Sequence, residues 1–292
     1  MSACLLPAQT KQFTGRWDLD MKTSQDTYPD WMEVTENAGG LKVRIQPRGG
    51  AVRPALNATV EGAKLIVTPL TGTTWELTAE GDKLGGTQKR GDAVTAEISG
   101  VRAPVLKRAD PKSWGSAESL FNGKDLTGWE PVNHPENSHW AAKNGELVNE
   151  TKGANLKTTR KFDDFQLHIE VLCPTEGHCN SGIYLRGRYE VQVGTEGGTQ
   201  PTHEMGAIYG YTAPSVDMPM GNGEWQTLDI TLVGRTVTVA RNGKTIHDHV
   251  ELAGITGGAL DSKEGEPGPF FLQGDHTGGL RFRNITVKQA QR

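Results

Sequence analysis

Between Cys173 and Val193 the chain carries residue types suited to chemistry. Tyr184 and Arg186, then Glu190 and Gln192, fall on alternate positions. Ile183, Leu185, Tyr189, Val191 and Val193 fall on the others, and Gly187 separates the two runs. Successive strand side chains point to opposite faces. Strands over 181–186 and 188–193 would therefore have one apolar face. The other would bear a hydroxyl, a guanidinium, a carboxylate and an amide, groups that bind sugars or move protons.

Neighbouring patterns extend this polar set. In 165–172, Phe165, Leu167, Ile169 and Val171 share a core face, while His168 and Glu170 share the other. Towards the C-terminus, Gln273, His276, Arg281 and Arg283 are polar candidates around the apolar Leu280 and Phe282. If these strands lie side by side, one face gathers Glu170, Tyr184, Arg186, Glu190, Gln192, Gln273 and His276. Blander roles exist for each. Glu170 and Arg186 could form a cross-strand ion pair worth under ~1 kcal/mol. His276 could cap a turn between Gly274 and Gly278, and Arg281 and Arg283 could be solvated charges. His247 and His249 alternate, but a zinc site needs further ligands and the pattern spells out no third.

The elements that must position these groups read as strands. The 292 residues include 37 Gly and 7 Trp, and many short segments alternate apolar and polar. That composition predicts an all-β chain. The net charge is −4 and no basic stripe is present, which argues against nucleic acid as a partner. No apolar run approaches the ~20 residues of a membrane span. Residues 1–12 read as a flexible N-terminal segment. Strand-like runs over 13–108, at the ~8–12-residue spacing of a meander, predict a small β-barrel or meander filled by its own side chains. Residues 109–118 read as a linker. Residues 119–292 predict a two-sheet β-sandwich or jelly roll, with a hairpin at Asn242-Gly243. A curved sandwich offers a groove for a saccharide.

Cys173 and Cys179 lie six apart, a spacing that a disulfide-closed loop can use. A bridge there would point to an oxidising compartment, whereas two buried thiols would not. Ser2-Ala3-Cys4 is similar to the end of a bacterial lipoprotein signal and makes Cys4 a candidate lipid anchor. An arbitrary start of the chain accounts for the same three residues.

The run Phe13-Thr14-Gly15-Arg16-Trp17 resembles the opening of lipocalin-like barrels. More of the chain bears on a second family. Ser119 to Trp129, Asn180 to Arg186 followed by Tyr189 to Val193, Gly206 to Gly210, Gly223 to Gln226, and Leu272 to His276 through Arg281 to Ile285 form an ordered series. Over 118–287 this series resembles the 3-keto-disaccharide hydrolase domain family. One turn departs from the family's Gln-x-His-Gly and reads Gln273-Gly274-Asp275-His276-Thr277-Gly278.

The resemblance implies a concanavalin A-like sandwich, periplasmic or secreted, acting on oxidised mono- or disaccharide glycosides. A ketone at C3 acidifies the C2 proton, which a carboxylate or imidazole can remove. The C1 substituent then leaves and water adds. Glu170, Glu190 and His276 are the base and acid candidates. Arg186, with Tyr184 or Gln192, would stabilise the enolate, an effect of ~3–4 kcal/mol per good donor. Asn180, Tyr184, Gln192, Tyr209, Gln273 and Arg281 are substrate-binding candidates. No cofactor is spelled out, although a divalent metal held by carboxylate and His could take over the enolate. Two competing readings are a non-catalytic carbohydrate-binding sandwich and a glycosidase with Glu170 and Glu190 roughly 5–10 Å apart.

Overall fold

A computed structural model describes residues 10–132, 134–194, 200–218 and 223–292. Cys4 lies outside the described residues. No helix among them is long and apolar enough to cross a membrane. The chain divides into two units. One comprises the residues up to Val105 together with Ala253–Glu264, and the other comprises Leu106–Leu252 and Gly265–Arg292.

The first unit is one antiparallel sheet of nine strands: β1 (Gly15–Lys22), β2 (Thr27–Asn37), β3 (Gly40–Ile45), β4 (Arg53–Pro54), β5 (Asn57–Glu61), β6 (Lys64–Thr68), β7 (Thr74–Glu80), β8 (Lys83–Arg90) and β9 (Ala93–Arg102). Their order is β4-β3-β2-β1-β9-β8-β7-β6-β5. Alternation sends Trp17, Leu19 and Met21 of β1, Met32 and Val34 of β2, and Trp75 and Leu77 of β7 into a shared core. The sheet curls enough to bring β3 and β5 together. The run 53–61 joins the two ends of this order: Ala55 N–H donates to Val43 O of β3 and Leu56 N–H to Thr68 O of β6, both at 2.8 Å, so the meander curls round on itself.

Trp31 is out of phase with the inward Met32 and Val34, yet it is buried. Ala253–Glu264 covers it. The Trp31 indole N–H donates to the Ile255 carbonyl at 2.8 Å, and a Cβ on Gly254 would come within 2.5 Å of the ring. Gln46 Nε2 donates to Gly257 O at 2.7 Å, and Ser262 Oγ to Asp20 Oδ1 at 2.9 Å. The reading that placed 253–264 wholly in the second domain is thereby corrected. An outward Trp needs an apolar cover, and this segment supplies it.

The second unit is a β-sandwich. Its strands are β10 (Ser113–Trp114), β11 (Glu118–Ser119), β12 (Trp129–Val132), β13 (Trp140–Lys143), β14 (Glu146–Asn149), β15 (Asn155–Thr158), β16 (Phe165–Leu172), β17 (Asn180–Leu185), β18 (Tyr189–Gly194), β19 (Trp225–Val233), β20 (Thr236–Arg241), β21 (Lys244–Glu251), β22 (Phe271–Leu272) and β23 (Leu280–Gln291). The larger sheet runs β13-β14-β23-β16-β19-β20-β21, with β10 and β11 also on β23. The smaller runs β12-β15-β22-β17-β18. Leu167, Ile169, Val171, Ile230 and Phe282 of the larger sheet share a core with Leu156, Ile183, Leu185, Val191, Val193 and Leu272 of the smaller. Burying such side chains contributes roughly 1.5–3 kcal/mol each.

Candidate functional site

The face of the smaller sheet turned away from this core carries the polar residues. Register lines them up in two rows. Glu130 pairs with Lys157, Lys157 with Phe271, Phe271 with Tyr184 and Tyr184 with Glu190. A bridge between Val191 and Ile208 extends the sheet and sets Tyr209 beside Glu190, whose carbonyl accepts the Tyr209 N–H at 3.0 Å. In the second row Val132 pairs with Asn155 and Gly182 with Gln192, while Gln273 N–H donates to Gly182 O at 2.9 Å. Asn180 lies one step further along β17.

Tyr184, Glu190 and Gln192 are all buried. The Tyr184 ring stacks on Phe271 with centroids 4.3 Å apart, and Tyr209 stacks on His203 at 4.5 Å. The Glu190 carboxylate bends across Gly182: a Cβ there would lie 2.2 Å from Glu190 Oε1. A glycine at 182 is therefore what admits the carboxylate to the middle of the sheet. Gln192 Nε2 donates to Asn180 Oδ1 at 3.1 Å. The Oε1 atoms of Gln192 and Gln273 are buried with no hydrogen-bond partner among the described residues.

The turn after β22 is held by two asparagines. Asn155 Oδ1 accepts the N–H groups of Gly274 and Asp275 at 2.7 and 3.2 Å. Asn149 Nδ2 donates to the carbonyls of Gly274 and Thr277 at 2.9 and 3.0 Å. This turn presents His276, whose Nδ1 lies 3.0 Å from Asp275 Oδ1. Burial raises the Asp275 pKa, but the His276 hydrogen bond and charge, with Asn155, outweigh it and hold the carboxyl below its ordinary value. Beside the turn an open cleft of about 530 Å³ is lined by Val132, His134, His139, Lys152, Asn155 and Asp275, among others. Its floor continues the second row. Asn149, Asn155, His134, His139 and His203 were not singled out from the sequence.

Three expected members are elsewhere. Glu170 lies on β16, on the outer face of the other sheet. Burial works to raise its pKa, but hydrogen bonds from Asn284 at 2.6 Å and Arg283 at 2.7 Å, with the Arg283 charge, hold it low. The expectation that β16 lies beside β17 fails because β16 pairs with β19 and β23. Glu170 and Glu190 thus sit on different sheets and do not form the carboxylate pair of a conventional glycosidase. Arg281 is on that same outer face of β23, paired with Glu146 and over the Trp225 ring.

Arg186 leaves the polar face because alternation stops at Leu185. Arg186 and Gly187 have φ of 53° and 69°, and Arg188 N–H donates to Leu185 O at 3.0 Å. This is a primed hairpin turn. It sends the guanidinium, fully buried, to Gly234 O, to Asp163 at 3.3 Å and over the core-facing Tyr189 ring.

A register shift in β21 likewise separates its histidines. His247 is buried, with Nε2 2.9 Å from Gly206 O, and burial lowers its pKa. His249 is exposed beside Asp248. Among the described residues no three His, Cys, Asp or Glu side chains are grouped to hold a metal ion. Cys173 and Cys179 are joined by a disulfide with Cα atoms 5.9 Å apart, closing the loop that leads into Asn180.

Residues 116–288 match the family model of the 3-keto-alpha-glucoside-1,2-lyase-like domain. Among solved structures, a candidate glycosyl hydrolase from Parabacteroides distasonis is 30% identical over 64% of this chain and 94% of its own, with a TM-score of 0.52. A second candidate glycosyl hydrolase from that organism is 21% identical over 60% of this chain and 94% of its own, with a TM-score of 0.49. No curated protein sequence matches the chain.

Proposed function

The chain belongs to the 3-keto-alpha-glucoside-1,2-lyase-like family, and we propose from that premise that it cleaves 3-keto-glycosides by elimination and hydration. The observation that carries the reading is the Glu190 carboxylate held over Gly182, on a face shared with Tyr184, Gln192 and Gln273 and next to the turn of His276.

Glu190 is the base. It takes the C2 proton, and the electron pair moves onto the C3 oxygen. The Tyr184 hydroxyl and the Asn180 amide are the nearby donors suited to that oxygen, in place of Arg186. As the enolate collapses, the C1–O bond breaks and His276 gives a proton to the leaving oxygen. Asp275 orients the imidazole for this step. Water then adds across the C1–C2 double bond. A positioned acid or base typically contributes 10²–10⁴-fold. The cleft beside Asp275 is open to receive the leaving group. The disulfide fits a periplasmic or secreted location.

The test is incubation with a 3-keto-glucoside and mass spectrometry of the products in deuterated water. The expected result is release of the aglycone with deuterium at C2, abolished in Glu190→Gln. Binding without release would favour a carbohydrate-binding module. Equal turnover of the unoxidised glycoside would favour conventional hydrolysis.

A further inference from the structure

Two buried acceptors on the polar face have no donor among the described residues. Gln192 Oε1 and Gln273 Oε1 are both enclosed and find no partner there. Gln192 is the cross-strand partner of Gly182, and Gln273 N–H bonds to the Gly182 carbonyl from the other side. Leu272 beside Gln273 belongs to the core, so alternation turns Gln273 to the same face as Gln192. Gln192 and Gln273 therefore flank Gly182, over which the Glu190 carboxylate lies.

Most buried polar atoms in folded proteins have partners. An enclosed acceptor left without one is destabilising. Gln273 is the clearer case, because none of its side-chain atoms has a hydrogen bond among the described residues. A packing role would be served as well by Met, without the cost. What both oxygens lack is an O–H or N–H donor presented across the base. A pyranose ring offers that arrangement, since its C2 and C4 hydroxyls flank C3.

Building on the proposed elimination, we infer that Gln192 and Gln273 are specificity-determining residues that accept hydrogen bonds from the C2 and C4 hydroxyls of the 3-keto sugar. The site then demands both hydroxyls free. It rejects rings that lack or substitute either one, because the orphaned acceptor then stays orphaned. Removing the C2 hydroxyl leaves an acidic C2 proton and an intact C1 substituent, so the 2-deoxy substrate can still react. Recognition and chemistry are separable.

The experiment compares a 3-keto-glucoside with its 2-deoxy and 4-deoxy analogues on the full chain. Wild type should lose about 10–100-fold in kcat/KM on each analogue, the range of one unmade buried hydrogen bond. Gln192→Met and Gln273→Met should each lose a similar factor on the parent. Each should also erase the penalty for one analogue. Gln273→Met should keep or raise the Tm of the ligand-free protein, as no protein hydrogen bond is removed. Equal kcat/KM for parent and both analogues in wild type would overturn the inference. So would a Gln273→Met variant that matches wild type on the parent. If wild type turns over none of the three, the proposed reaction fails by itself. Calorimetric titration of the same three sugars then decides the inference, which stands if the parent binds tighter and falls if all bind alike.

Discussion

The Glu190 carboxylate fills the space a side chain at Gly182 would need, with Oε1 2.2 Å from the position of its Cβ. The obstacle is the end of a flexible side chain and not backbone. Gly182→Ala should therefore fold and shift Glu190. We expect kcat to fall by about 10²–10⁴, the worth of a positioned base, with the urea midpoint changed little. A variant that unfolds, or one of full activity, would contradict this placement.

Asp275 makes stability depend on acid pH. Its pKa in the folded protein lies below the ordinary carboxylate value of ~3.9. Its contribution is complete above that value and is lost as pH falls towards the folded pKa. Urea midpoints should thus decline below about pH 4, and Asp275→Asn should flatten that decline. High salt should weaken the effect, because the pair with His276 is half-exposed.

Glu170 and Arg186 should behave as structural residues. Glu170→Gln removes a surface ion pair, so kcat should stay within about twofold and stability within ~1 kcal/mol. Arg186→Met leaves Gly234 O and Asp163 without their buried partner. Unfolding should become easier by about 1–3 kcal/mol while kcat per folded molecule is kept. Steady-state kinetics with denaturant titration separates the two outcomes.

The bridge between Cys173 and Cys179 closes a short loop. Loop-closure entropy for so few residues gives a stabilisation of about 2 kcal/mol. The double variant to Ser should lower the unfolding free energy by that amount. Reductant should lower the wild type to the level of the variant and leave the variant unchanged.

Alternation was enough to separate the two faces of β17 and β18, because every residue from Ser181 to Leu185 and from Tyr189 to Val193 obeys it. It failed where the backbone leaves the extended state. At Arg186 a positive φ turns the side chain inward, and no count of positions reveals that. Glu170 and Arg281 failed for another reason. Their faces were read properly as polar, but which strands are neighbours depends on long-range pairing that local pattern does not encode. His203, Asn149 and Asn155 work through turns whose partners are over 50 residues away or sit in an extra edge segment. The cover on Trp31 was invisible because one outward Trp looks like any other surface aromatic until its partner is found.

The covering of Trp31 by Ala253–Glu264 has a consequence for synthesis. The strands of the first unit are complete at Arg102, but its apolar cover leaves the ribosome only about 160 residues later. At ~5–20 residues per second that is a delay of roughly 8–30 s. For that interval Trp31 stands open on a nascent chain. The two units therefore cannot mature one after the other along the chain. The first to emerge is finished only when the second is nearly made, so a gene truncated after Val105 encodes a first unit without its Ala253–Glu264 cover.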